Sequence, residues 1–248
     1  MNWNQTMGYV SSFATLLPIA IIAYFQLYKN RNLLVLMFYY IITLVFNMSS
    51  EQIINLPPSV IKNIGFFNNI LDAPLMLIYL LYFAKSESLR KKIHITILSF
   101  LVFEVAVTLF FGITSTTITI ILGPGILLVL LFTSRFFVEQ VKIVVQQNKP
   151  AGKALMATSA LFAYGCFFII YLFWYVFETP NVEDAFLVYF FVATISSILV
   201  SIGLVIEKKR FKVLDELKTT RKELSMLYPN EKIIFPKETA GSFDEEEY

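Results

Sequence analysis

The chain has 248 residues, 57% of them hydrophobic and 15% charged, with a formal net charge of +2 and a mean hydropathy of +0.68. Soluble domains carry about 25% charged residues, so this composition excludes an ordinary water-soluble domain. One cysteine, Cys166, and one histidine, His94, leave no internal disulfide and no Cys/His zinc set to be built.

Seven apolar runs follow one another, at 8–28, 33–50, 64–84, 93–113, 118–138, 154–177 and 186–206. Most approach the ~20 residues that carry a helix across ~30 Å of hydrocarbon. The fold class expected is therefore all-α, a polytopic seven-transmembrane helix bundle. The opening residues MNWNQTMGYV lack the basic region of a cleavable signal, so the first run is expected to stay in the protein. No internal repeat of 20–50 residues is visible.

The connections alternate in charge. KNRN (29–32), KSESLRKK (85–92), VKIVVQQNKPAGK (141–153) and EKKRFK (207–212) are basic. The segments MNWNQTMG, 51–63, TSTT (114–117) and ETPNVEDA (178–185) hold a single lysine, Lys62. Basic loops stay on the cytoplasmic side, which predicts an external N-terminus and a cytoplasmic C-terminus. Trp3, Tyr9, Trp174 and Tyr175 then fall near the outer ends, where an aromatic belt belongs. The expected location is a bacterial cytoplasmic membrane, with the lipid bilayer as the first partner.

This orientation gives each polar residue a depth. Asp72 lies eight residues into the third span, roughly 12 Å from its outer end at 1.5 Å per residue, and Glu104 lies roughly 13 Å from the outer end of the fourth. Two carboxylates on adjacent antiparallel helices are thus expected at one level. Asn68 and Asn69 precede Asp72 by four and three residues and share its helical face. Asn47, Tyr171, Thr194, Ser196 and Ser197 join the outer half. Gly123-Pro124-Gly125 is expected to bend the fifth helix and free backbone carbonyls. Arg135, near the inner end of its span, is placed to snorkel and to pair with Glu139 four residues on. No lysine or arginine stands at the level of the two acids. Two readings follow for Asp72 and Glu104: hydrogen-bonded glue between helices, or a pocket open to the outside for Na⁺, H⁺ or an amine. The candidate ligand or ion site is Asp72, Glu104, Asn68, Asn69, Asn47, Thr194 and Ser197.

Three parts are expected: a transmembrane domain at 1–206, a cytoplasmic amphipathic helix at 207–228 and a flexible acidic tail at 229–248. Phe211, Leu214, Leu217, Leu224 and Leu227 recur at three- and seven-residue steps. They form either a coiled-coil seam or a face that lies on the anionic inner leaflet. Residues 207–248 are the expected contact for a cytoplasmic protein partner. GxSxG, HExxH, Walker A and CxxC motifs are absent. Nothing in the sequence calls for a cofactor, a metal or nucleic acid.

Seven helices with an external N-terminus resemble G-protein-coupled receptors, microbial rhodopsins and bacterial seven-span sensors. Asp72-Ala73-Pro74-Leu75-Met76-Leu77 resembles the polar-Pro-Leu run of the third helix of microbial rhodopsins. Leu161-Phe162-Ala163-Tyr164-Gly165 is similar to a sixth-helix segment there. That resemblance implies a retinal held by a seventh-helix lysine. Residues 186–206 contain no lysine, so covalent retinal is not expected. The reading expected from the whole is a non-enzymatic sensor or receptor-like subunit; the alternative is a secondary transporter or channel that uses the same carboxylates.

Overall fold

The computed structural model describes residues 3–173 and 182–227. Trp174, Tyr175 and the expected tail at 229–248 lie outside the described residues. The chain divides into two compact units, Met1–Glu207 and Lys208–Tyr248. In the second, the described residues 208–227 are helical.

Seven α-helices are described: α1 (Trp3–Tyr24), α2 (Arg31–Ser50), α3 (Pro58–Leu80), α4 (Glu87–Phe111), α5 (Ser115–Gln147), α6 (Gly152–Tyr171) and α7 (Val182–Leu227). No strand occurs among the described residues. A segment of each helix is long and apolar enough to cross a membrane. The helices start where capping chemistry dictates. Asn30 Oδ1 accepts the Asn32 and Leu33 amides ahead of α2. Ser86 Oγ accepts the Leu89 amide ahead of α4, and Thr114 Oγ1 accepts the Thr117 amide ahead of α5. Each cap satisfies donors that a first helical turn leaves open. Pro58 opens α3, where a missing N–H costs nothing.

The helices outrun the apolar runs in places. Arg90, Lys91 and Lys92, expected in a loop, lie in the first turns of α4, and α5 continues past residue 138 to Gln147. Hydropathy marks where a helix can sit in hydrocarbon. Caps and turn residues mark where its hydrogen bonding stops, and here those lie farther out. A 3₁₀ turn, Leu81–Phe83, extends α3, and another, Leu27–Lys29, joins α1 to α2.

Within Met1–Glu207, α3 packs against α2, α4 and α5, and α5 also packs against α4 and α6. Leu77, Tyr79, Leu80, Tyr82 and Phe83 of α3 and its extension are almost wholly buried, as are Phe136 of α5 and Tyr164 of α6. In contrast, Leu98, Val102, Val105, Leu109 and Phe110 of α4 are exposed. Such an outward apolar face is consistent with lipid contact. Several hydroxyls turn back on their own helix: Thr43 onto the Tyr39 carbonyl, Ser134 onto Leu130 and Thr158 onto Ala154. Hydroxyls in an apolar helix commonly find their acceptor one turn back.

Where α6 crosses α7, both helices carry glycine. A Cβ on Gly203 would lie 2.6 Å from Met156 Cγ and 2.9 Å from the Gly152 carbonyl oxygen, while a Cβ on Gly165 would meet nothing within 4 Å. Small residues let helix backbones approach closely. Gly203→Ala is therefore expected to destabilise the detergent-solubilised protein by about 1–3 kcal/mol, read as a lower thermal unfolding midpoint. Gly165→Ala should leave the midpoint unchanged or raise it, since alanine is the better helix former. Equal effects from the two substitutions would contradict the close crossing.

Candidate functional site

Asp72 lies on α3 with its side chain half-buried. Its Oδ2 accepts a hydrogen bond from the Tyr164 hydroxyl of α6 at 2.9 Å. Tyr39 of α2 stands within interaction range of both groups. Tyr189 of α7 and Glu104 of α4 lie within electrostatic range of Asp72. Four other helices thus place a side chain around one carboxylate.

Glu104 is 2% exposed, and neither carboxyl oxygen has a hydrogen-bond partner among the described residues. The two acids therefore share a region without a direct hydrogen bond between them. Neither forms a salt bridge among the described residues. Arg135 is occupied elsewhere: its Nε lies 3.3 Å from Glu139 Oε1, and both side chains are well exposed.

The glycines of α5 set this geometry. A Cβ on Gly125 would lie 3.0 Å from Ala73 Cβ and 3.0 Å from Phe100 Cζ. Ala73 neighbours Asp72, and Phe100 is one turn from Glu104, so this contact draws α3, α4 and α5 together beside the acids. A Cβ on Gly123 would lie 2.5 Å from the Tyr171 hydroxyl, which donates to the Thr119 carbonyl at 3.1 Å. The helix assignment runs through Gly123-Pro124-Gly125 without a break, from Ser115 to Gln147. The two glycines are places where neighbouring side chains approach the helix.

Other expected site residues separate. Asn69 donates from Nδ2 to its own helix, at the Gly65 carbonyl, 2.8 Å away. Thr194 donates to the Phe190 carbonyl at 2.8 Å. Asn68 is half-buried and makes no hydrogen bond to Asp72 among the described residues. The helical face shared by Asn68, Asn69 and Asp72 does not become a hydrogen-bonded cluster: the Asn69 amide takes the carbonyl one turn back instead. Asn47 is 1% exposed, with neither amide atom partnered. Ser197 is equally buried and its hydroxyl is also unpartnered. Ser196 donates to the Ala193 carbonyl, and its own carbonyl accepts from Ser159 Oγ at 2.7 Å.

Two features escaped the residue-by-residue reading. One is the set of tyrosines, Tyr39, Tyr40, Tyr79, Tyr164 and Tyr189, that meets in the bundle. A phenol in the middle of an apolar run needs a partner for its hydroxyl, and that was the available signal. The other is Glu207, which reads as the first residue of a basic loop. It is 1% exposed, and its Oε1 accepts from the Tyr82 hydroxyl at 2.8 Å. Lys153 Nζ sits 4.4 Å from the centre of the Tyr82 ring. Between the Asp72 and Glu207 clusters lies a cavity of about 30 Å³ lined by Tyr39, Tyr79, Tyr189 and Ser197 among others.

Removing a donor and removing an orphan should act in opposite directions. Tyr164→Phe takes the hydroxyl from Asp72 and should destabilise by about 1–3 kcal/mol, the usual cost of an unsatisfied buried group. Glu104→Met replaces an unpartnered carboxyl by an apolar side chain and should be neutral or stabilising. Thermal unfolding in detergent checks both. A loss of stability in Glu104→Met as large as that in Tyr164→Phe would make Glu104 a structural group. No protein-family model, curated protein or solved structure matches the chain.

Proposed function

We propose that the chain is a non-enzymatic sensor or receptor-like subunit of a cytoplasmic membrane, its N-terminus outside and its C-terminus in the cytoplasm. A pocket around Asp72 and Glu104, approached from outside, takes a small cation or an amine. The observation that carries this reading is Glu104: a buried carboxyl with no donor on either oxygen, within electrostatic range of a second acid. A carboxyl buried this way is costly to keep unpaired, and a bound cation would offset that cost for both acids. Residues 207–248 are the proposed contact for a soluble partner. Ligand binding changes the relative stability of two helix arrangements and so reaches that partner.

The orientation rests on the basic loops and has a direct check. In a Cys166→Ser background, a cysteine placed at Thr116 should react with a membrane-impermeant maleimide in intact cells. A cysteine at Lys149 should react only after permeabilisation. The reverse pattern would invert the topology.

Ligand binding is tested by thermal unfolding of the purified protein with Na⁺, Li⁺ or methylammonium, at constant ionic strength balanced with choline. At least one of these should raise the midpoint, since a ligand at 100 times its Kd stabilises by about 2.7 kcal/mol. Glu104→Gln should abolish the rise. No shift with any of the three would remove the cation site.

A secondary transporter or channel is the second reading, favoured by the hydroxyl-lined cavity beyond Asp72. Gradient-driven uptake of the stabilising cation into proteoliposomes, lost in Asp72→Asn, would select it over the sensor.

A further inference from the structure

Where α4 begins, a groove of about 350 Å³ lies against the last turns of α5. Three cations line it: Lys85, just ahead of α4, and Arg135 and Lys142 of α5. Glu139 is the carboxylate of the lining, and Arg135 takes it, with Nε 3.3 Å from Glu139 Oε1. Lys85 and Lys142 are exposed and form no ion pair among the described residues. Two positive charges thus border one groove without a carboxylate to meet them. Arg135 adds N–H groups beyond Nε, since a guanidinium carries five.

Both walls have a local origin. On α5, Glu139, Lys142 and Ile143 follow Arg135 by four, seven and eight residues, which sets them on one helical face. Across the groove, Arg90 Nε donates to the Ala84 carbonyl at 3.2 Å, and the Ser86 hydroxyl accepts the Leu89 amide. These bonds hold the short turn that carries Lys85. Buried Leu89 and half-buried Ile143 supply the apolar part of the lining.

The same face of α5 continues into the apolar part of the helix. Leu131 and Leu127 precede Arg135 by four and eight residues and are 68% and 43% exposed. From Arg135 to Leu127 is roughly 12 Å at 1.5 Å per residue, most of one half of a ~30 Å hydrocarbon core. A positively charged groove therefore runs on into an outward apolar strip. A free phosphate compound would use the groove alone. A phospholipid uses both, with its phosphodiester among the cations and an acyl chain along the leucines. Lysine and arginine form charge-assisted hydrogen bonds to phosphate, and basic pockets between membrane helices take anionic headgroups.

We infer that this groove binds an anionic phospholipid from the leaflet on the basic side of the bundle. Lys85, Arg135 and Lys142 meet its phosphate, and Leu131 and Leu127 receive one acyl chain. The site shares no residue with the pocket at Asp72 and Glu104.

The test is thermal unfolding of the purified full chain in an uncharged detergent, titrated with phosphatidylglycerol or with phosphatidylcholine. Phosphatidylglycerol should raise the midpoint to a plateau, and phosphatidylcholine at the same mole fraction should not. Lys85→Gln and Lys142→Gln should each weaken half-saturation by about fivefold, the effect of one basic residue beside an anionic lipid surface. Lys142→Arg should preserve it. Both lysines are exposed, so the lipid-free midpoints should match the wild type. Lys29→Gln removes an exposed lysine of another basic segment, outside the groove, and should change nothing. An equal loss in Lys29→Gln would reduce the effect to diffuse attraction and overturn the site, as would an equal rise with phosphatidylcholine. Saturation by the deacylated headgroup glycerophosphoglycerol at the same concentration would overturn the lipid in favour of a free phosphate compound. Absence of any phosphatidylglycerol effect would end this inference and leave the cation pocket standing.

Discussion

Polar groups inside an apolar helix bundle have mainly one another to bond, and this limits where each can stand. The backbone meets the constraint by being helical throughout each long apolar segment. Hydroxyls such as Thr43, Ser134 and Thr158 meet it by returning to the carbonyl one turn back. A carboxylate has no donor of its own when ionised and cannot use that device. It must be met by a donor from another helix. Asp72 is met by Tyr164 of α6, and Glu207 by Tyr82 at the end of α3. Tyrosine suits this task because its ring is at home in the core while its hydroxyl supplies the bond.

For those donors to arrive, the helices must come close, and small residues permit it. Gly125 brings Ala73 and Phe100 onto α5, which draws together the helices that carry Asp72 and Glu104. Gly152 and Gly203 do the same for α6 and α7, where a Cβ on Gly152 would also lie 3.0 Å from Glu207 Oε2. The glycines and the buried acids are thus parts of one arrangement. The backbone approaches closely at the places where a carboxyl has to be reached.

Glu104 stands apart from this pattern. It is as buried as Glu207 but receives no hydrogen bond among the described residues. In a bundle that otherwise supplies its acids with phenols, an acid left without a donor is the feature that packing does not explain. The cation pocket proposed above is built on that orphaned carboxyl and on Asp72, one helix away.

The number of helices, their apolar character and which of them carry Asp72 and Glu104 were all legible in the sequence, because an apolar helix is a local property of about twenty consecutive residues. The Arg135–Glu139 pair was legible for the same reason, being four residues apart on one helix. Helix ends were less so: Asn30, Ser86 and Thr114 set them through caps that lie outside the hydropathy signal. The partners of the acids were not legible at all. Tyr164 is 92 residues from Asp72, and Tyr82 is 125 residues from Glu207. Which face of each helix turns inward, and at what height it meets its neighbour, is decided by packing among all seven. The sequence therefore determined that Asp72 and Glu104 would lie within apolar helices. Only the tertiary structure decided that tyrosines would meet Asp72 and Glu207, that Asn69 would bond its own helix, and that a water-sized space would lie between.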